Sequence, residues 1–291
     1  MGLNIGSTAI SDLKLGSTQV NKAYLGSNLV WDNSTQTIRA LKFSTPTAQH
    51  VCVQSQNLGI ISPNFEYSTD GGVTWTTWDD VTQSISFGNG TDLYLRGMNT
   101  ILADFNTSSR VNFVFDTFDG NNYVDCTGNI MHLFDYTQDL TSFPSPTTPG
   151  GVCYMFSNAV CLRTAPDLPA TVIPDRAYFH MFYICQIQNC PSLPATVLTN
   201  SCYKEMFRGC ASLEFIPALP ATTLATDCYH SMFRNCNRIK MSLTQDSTYT
   251  NEYIFGANPT GYSSSMFSVT GGTFTGAPTQ TTYYTSNTII S

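Results

Sequence analysis

The tetrapeptide Leu-Pro-Ala-Thr occurs three times, at 168–171, 193–196 and 219–222, and the copies are spaced by 25 and 26 residues. A proline stands two positions before each leucine: Pro166, Pro191 and Pro217. Met-Phe pairs recur at 155/156, 181/182, 206/207 and 232/233, with intervals of 26, 25 and 26. Weaker copies flank them: Leu133-Phe134 with Pro144 on one side, Ile254-Phe255 and Met266-Phe267 on the other. No other feature constrains the fold as tightly. A period near 25 with several apolar columns describes coils that bury their faces only against their neighbours. Residues 125–291 are therefore expected to form a solenoid with degenerate caps.

The repeats also decide how to read CYHSMFRNC, residues 228–236, where Cys228, His230 and Cys236 stand close enough to suggest a metal site. Its relatives are CYKEMFRGC (202–210), AYFHMFYIC (177–185) and GVCYMFSNA (151–159). The histidine column reads Cys153, Phe179, Lys204 and His230, so the other coils cannot supply the ligand set that zinc requires. A disulfide within each coil is the stronger rival, but Ala177 and Ala159 replace cysteine in two of the four coils. Alternation of Cys with Ala marks a small apolar slot, which points to buried free thiols. Cys52, Cys126, Cys161 and Cys190 lie outside these columns.

A second repeat opens the chain. IGSTAISDLK (5–14), LGSTQVNKAY (15–24) and LGSNLVWDN (25–33) align at a period of ten, each read as a short strand followed by a Gly-Ser turn. So short a segment cannot bury a core alone, so residues 1–35 are assigned to attachment or oligomerisation. The apolar and aromatic positions that would carry it are Leu15, Val20, Tyr24, Leu25, Leu29 and Trp31. Between the two repeats, residues 36–124 alternate apolar and polar in runs such as IRALKFST, HVCVQSQN and VNFVFDTF, which predicts a small all-β sandwich or barrel.

Ser68, Asp70, Gly72, Thr74 and Trp75 spell S-x-D-x-G-x-T-W, the Asp-box pattern, which resembles the hairpins of sialidase propellers. A propeller repeats its motif blade after blade, and this chain has one copy. The motif is read as a turn, with a sugar-contacting loop as the alternative.

Of the 291 residues, 11% are charged and 12% aromatic; 13 Lys and Arg stand against 20 Asp and Glu, a formal charge of −7. The basic residues are scattered, which argues against nucleic acid as a partner. No apolar run matches a signal peptide or a spanning helix, so neither export by that route nor membrane insertion is expected. The four histidines are dispersed, and neither a P-loop nor a nucleophile-elbow, zincin or dinucleotide fingerprint is present. The sequence is read as a non-enzyme without cofactor or metal.

Cys210, Leu213, Pro217, Leu219, Pro220, Ala221 and Thr222, followed by Y-x-x-M-F-x-x-C, resemble the BspA-like leucine-rich repeats. That resemblance implies short strands LRTAPDL, IQNCPSL and LEFIPAL stacked in parallel into a curved sheet, with short helical or irregular segments outside. One coil departs, with Gln188 in place of Leu213. The N-terminal decapeptides and the closing Leu-Val-Trp-Asp look like the start segments of fibre and structural proteins of tailed bacteriophages, crAss-like gut phages among them. Together these resemblances imply a mainly β virion component, a head or tail fibre or decoration subunit. It would attach to other virion proteins through its N-terminus, form a homo-oligomer with a trimer favoured, and leave the bacterial host by lysis. Its solenoid would adhere to a glycan or protein of a bacterial or mucosal surface, with Arg163, Thr164, Glu214 and Phe215 as the candidate face. A bacterial cell-surface adhesin and a glycan-active enzyme using the Asp-box hairpin are the alternatives.

Overall fold

The computed structural model describes residues 38–56, 61–214, 216–239 and 264–266, and the backbone of six short strands within the first 32 residues. Two compact units are present, Met1–Ile38 and Arg39–Ser291. The described chain is mainly β, with antiparallel and mixed sheets, none of them closed.

In the first unit the strands pair locally. β1 (Asn4–Ile5) pairs β2 (Thr8–Ala9), β3 (Lys14–Leu15) pairs β4 (Thr18–Gln19), and β5 (Lys22–Leu25) pairs β6 (Asn28–Asp32), all antiparallel. The expected single strand per decapeptide is thus replaced by a hairpin that brackets each Gly-Ser step. The third ladder is the longest, consistent with the β-favouring Tyr24, Val30 and Trp31 in its sequence.

The second unit begins with two packed sheets. β7 (Leu41–Ser44), β9 (Phe65–Ser68), β10 (Thr76–Thr77), β12 (Leu93–Gly97), β15 (Val124–Thr127) and β16 (Leu162–Thr164) form one, in the order β10-β9-β12-β7-β15-β16. β8 (Gln49–Gln56), β11 (Ile85–Phe87), β13 (Ala103–Asp104) and β14 (Ser109–Phe115) form the other, in the order β11-β8-β14-β13. Strict alternation in Leu41/Phe43, Leu93/Leu95 and Val111/Phe113 turns one face of each sheet inward. The faces meet through aromatic rings: Phe43 lies 6.1 Å from Phe113 and 6.4 Å from Phe87, and Phe65 lies 6.0 Å from Phe113. Both sheets keep open edges, so of the two expected arrangements the barrel is not formed.

The six-stranded sheet runs across the expected division at 124/125. β15 lies antiparallel to β7, with Cys126 opposite Phe43, and parallel to β16, with Val124 opposite Leu162. Phe156 of the first coil packs 6.3 Å from Phe43 and 5.6 Å from Phe113. The hydrophobic core is continuous from the sheets into the repeats.

Within the repeats, alternate backbone groups divide their work. The N–H groups of Ser201, Tyr203, Glu205, Phe207 and Gly209 donate to the carbonyls of Thr226, Cys228, His230, Met232 and Arg234 in the next coil. The intervening N–H groups of Lys204, Met206 and Arg208 donate three residues back in their own coil. The same alternation joins 152–158 to 177–183 and 176–184 to 200–208. A left-handed residue recurs every fourth position, as in Arg176, His180 and Ile184 or Asp227, Ser231 and Asn235. Left-handed residues cannot continue an α-helix. Of the expected short helical or irregular outer segments, the irregular form is present as runs of turns, and the one regular helix among the described residues is the short 3-10 segment Ile130–Leu133.

The donors of this ladder all point toward the C-terminal neighbour. At the leading end, the carbonyls of Tyr154 and Ser157 accept from Asn112 Nδ2, and that of Met155 accepts from the Phe113 N–H on β14. In the last coil described in full, the N–H groups of Ser231 and Phe233 donate to the carbonyls of Ser264 and Met266.

Among the described residues, the expected parallel sheet of LRTAPDL, IQNCPSL and LEFIPAL is reduced to Leu162–Thr164. Pro166, Pro191 and Pro217 stand at the same place in all three segments, where a ring nitrogen cannot donate to a ladder, so proline bounds each segment without accounting for the loss of pairing in the second and third. Parallel pairing appears instead as single bridges, Asn129 with Asp167, Ser142 with Val172 and Val197 with Thr223. In the departing coil, Ile187 is fully buried while Gln188 is exposed, so a one-residue shift keeps the apolar slot filled.

Two ring columns run through the coils. Phe156, Phe182, Phe207 and Phe233 stack at 5.7, 5.4 and 5.7 Å, and Tyr178, Tyr203 and Tyr229 at 5.6 and 6.1 Å. All seven are buried. The thiols of Cys185, Cys210 and Cys236 each donate at 3.0 Å to the carbonyl of the phenylalanine one coil earlier: Phe156, Phe182 and Phe207.

Candidate functional site

Three groups of side chains on the outer face of the six-stranded sheet share one composition. On β12 and β9, Arg96 and Glu66 are direct cross-strand partners, and Arg96 Nε donates to Glu66 Oε2 at 2.8 Å. The guanidinium lies 3.7 Å from the ring centre of Trp75 and 4.0 Å from that of Tyr136. One strand over, Lys42 stands opposite Tyr94, with its ammonium 5.8 Å from the ring and 2.6 Å from Asp92. On β15 and β16, Arg163 donates through Nε to Asp125 Oδ1 at 2.9 Å and through Nη2 to Oδ2, 5.4 Å over the Tyr123 ring. Hydrogen bonding to Asp125 raises the pKa of Arg163, and hydrogen bonding to Asp92 raises that of Lys42. Each group is an aromatic ring, a cation over it, and a carboxylate fixing the cation.

Of the candidate face, Arg163 and Thr164 share β16, and Thr164 Oγ1 donates to the Cys126 carbonyl at 3.0 Å. Glu214 lies two coils on, exposed and 3.4 Å from Arg238; Phe215 lies outside the described residues. The Gln188 N–H donates to the Arg163 carbonyl and Ser212 Oγ to Gln186 Oε1, so polar side chains continue along this side of the coils. The structure thus joins Arg163 to Asp125 and Tyr123, and keeps Glu214 apart. The sequence signal for the missed residues was the polar alternate in DLYLRG and NFEYS, but their pairing depends on strand register.

A second polar column runs along the turn ladder: Tyr154, His180, Glu205 and Ser231. His180 Nε2 lies 3.0 Å from Glu205 Oε2, which also accepts from Arg208 Nη1. The imidazole stacks 4.3 Å from Phe179 and 4.7 Å from Tyr183. Burial pushes the His180 pKa down, and Glu205 only partly offsets this. For Glu205, burial opposes ionisation, but the hydrogen bond from Arg208 and the His180 and Arg208 charges outweigh it and hold its pKa below the usual value. Ser231 is buried. Glu205 stands between the histidine and the serine in the stack, so the imidazole is not placed to take a proton from the hydroxyl, as acyl transfer would require.

The Asp-box hairpin is closed on itself. Asp70 Oδ1 accepts from Ser68 Oγ and the N–H groups of Val73 and Thr74, and Oδ2 accepts from Thr74 Oγ1 at 2.6 Å. Ser68 Oγ accepts from the Gly72 N–H, and Trp75 Nε1 donates to the Gly72 carbonyl. Burial alone would raise the Asp70 pKa, but these bonds lower it. The carboxylate is occupied with shaping its own turn.

In CYHSMFRNC, Cys228, Met232, Phe233 and Cys236 are buried, while His230 is half-buried. Cysteines are free throughout, and burial pushes the thiols of Cys153, Cys161 and Cys210 up to about 12. Among the described residues no cluster of three His, Cys, Asp or Glu could hold a metal ion. In the first unit, Leu15 pairs Thr18, Tyr24 pairs Leu29, Leu25 pairs Asn28 and Trp31 pairs Ala23; Val20 lies outside the described residues. No family model, curated protein or solved structure matches the chain.

Proposed function

We propose that this chain is a bacteriophage virion structural protein, a head or tail fibre or decoration subunit, that attaches through its N-terminal hairpins and adheres through its repeats. On this reading the coils are a BspA-like leucine-rich-repeat solenoid in which, among the described residues, most of the strand pairing is reduced to single bridges. The observation that carries the proposal is the coil-to-coil ladder of hydrogen bonds and ring columns, which makes a rigid scaffold that presents polar side chains from successive coils along one side. The hairpins of residues 4–32 form a separate small unit of two- to five-residue strands, which supports a role that depends on a partner chain. The self-contained Asp70 network favours the structural reading of the Asp-box over the glycan-active one.

The test is the solution mass of the full chain beside a deletion of residues 1–33, with binding of both to bacterial cells. An oligomer that falls to monomers on deletion, with cell binding weakened through lost avidity, supports the proposal. A full chain that is monomeric and behaves as its deletion does removes the assembly role.

A further inference from the structure

We infer that the outer face of the six-stranded sheet, continued by Arg163 on the first coil, binds an uncharged polysaccharide. The inference rests on the adhesive reading above and names its ligand class. Three observations carry it. First, the face repeats one device across five strands: the ring-cation-carboxylate groups of Trp75/Arg96/Glu66, Tyr94/Lys42/Asp92 and Tyr123/Arg163/Asp125. From β9 to β16 this spans four strand spacings, about 19 Å, enough for a short oligosaccharide.

Second, every cation in the three groups has a carboxylate within ion-pair distance, so the face offers fixed hydrogen-bonding groups without excess charge. The paired side chains remain between 21% and 38% exposed, open to ligand hydroxyls. A polyanion would meet cations already neutralised, whereas a polyol both donates to carboxylates and accepts from cations.

Third, the outward positions of β7, β12 and β15 are Lys42, Ser44, Tyr94, Arg96, Asp125 and Thr127, with no aliphatic side chain among them. A protein interface centres on desolvated apolar anchors. Sugar rings instead present C–H faces to aromatic rings and hydroxyls to the polar groups between them, which is the chemistry on this sheet.

The experiment is affinity gel electrophoresis of the full chain through dextran, yeast mannan and a mixed-linkage β-glucan, with hyaluronate as the charged comparison and labelled bacterial cells assayed in parallel. The expected result is retardation by at least one neutral polymer, weakened about tenfold by Tyr94→Ala and by Tyr123→Ala and preserved by Tyr94→Phe. Urea midpoints of the variants identify any loss due to unfolding, and Tyr123→Ala keeps the test decisive if Tyr94→Ala unfolds. Retardation by hyaluronate alone, or by a neutral polymer with equal strength in wild type, Tyr94→Ala and Tyr123→Ala, overturns the inference. Cell binding without retardation by any neutral polymer also overturns it while leaving the adhesive role standing. Absence of both removes the two together.

Discussion

Replacing Tyr203 by phenylalanine is expected to make the protein more stable. The ring lies between those of Tyr178 and Tyr229 at 5.6 and 6.1 Å, 1% exposed, and its hydroxyl has no hydrogen-bond partner among the described residues. A buried polar group left unsatisfied costs about 1–3 kcal/mol. Tyr203→Phe removes that cost, keeps both ring contacts and opens a void of one oxygen, so a net gain of about 1 kcal/mol is expected. For a unit of this size, that raises the melting temperature by about 2–4 °C. Urea denaturation followed by far-UV circular dichroism measures the change, and an unaltered slope would assign it to stability alone. Tyr203→Ala supplies the contrast: it loses the ring as well and should cost about 3–5 kcal/mol. A Tyr203→Phe protein less stable than wild type would refute the reasoning, because it would mean that the hydroxyl is satisfied, for instance by an ordered water.

Ile184 is a β-branched residue at φ 57°, while its column holds Asn158, Gly209 and Asn235 in neighbouring coils. Ile184→Asn should gain about 0.5–1 kcal/mol by relieving left-handed strain, with a loss of stability as the refuting result. The folded-state pKa values of His180 and Glu205 both lie below their ordinary values, so the unfolded chain binds more protons as pH falls. Their contribution is complete above about pH 6.5; the His180 part fades below that pH and the Glu205 part as pH falls through its depressed folded pKa. His180→Phe should flatten urea midpoints as pH falls below about 6.5, and an unchanged profile would exclude His180 as the source. Native protein should react with a thiol reagent at pH 8 first at the partly accessible Cys52, because burial holds the Cys190 thiol well above its ordinary pKa, and rapid labelling of Cys202, Cys210 or Cys228 would show that the coils are open.

Features that depend on period alone were legible in the sequence. The ring columns through Phe207 and Tyr203 and the apolar slots of Cys210 and Cys236 follow from spacing, because stacked coils place equivalent residues over one another. The backbone between them was not legible. Tyr154, His180, Glu205 and Ile184 adopt left-handed conformations that their side chains disfavour, and only the ladder to the next coil imposes them. The missing strands were not legible, since Pro166, Pro191 and Pro217 stand alike in the segment that pairs and in the two that, among the described residues, do not. The ring-cation-carboxylate groups needed register: Arg96 and Glu66 are 30 residues apart, and only the pairing of β12 with β9 makes them neighbours.

Because the turn ladder of each coil hands its backbone donors forward and its acceptors back, that side of the stack is one-way, although the thiols and the Gln188 N–H donate backward elsewhere in the coils. The leading end meets Asn112 and Phe113, and the last coil described in full donates to Ser264 and Met266. Neither contact could serve in place of the other. Lengthening or shortening the array by one 25-residue unit is therefore neutral only in its interior, where a duplicated coil finds acceptors ahead and donors behind. The reach of the protein can be varied by recombination within the repeats without redesign of either contact.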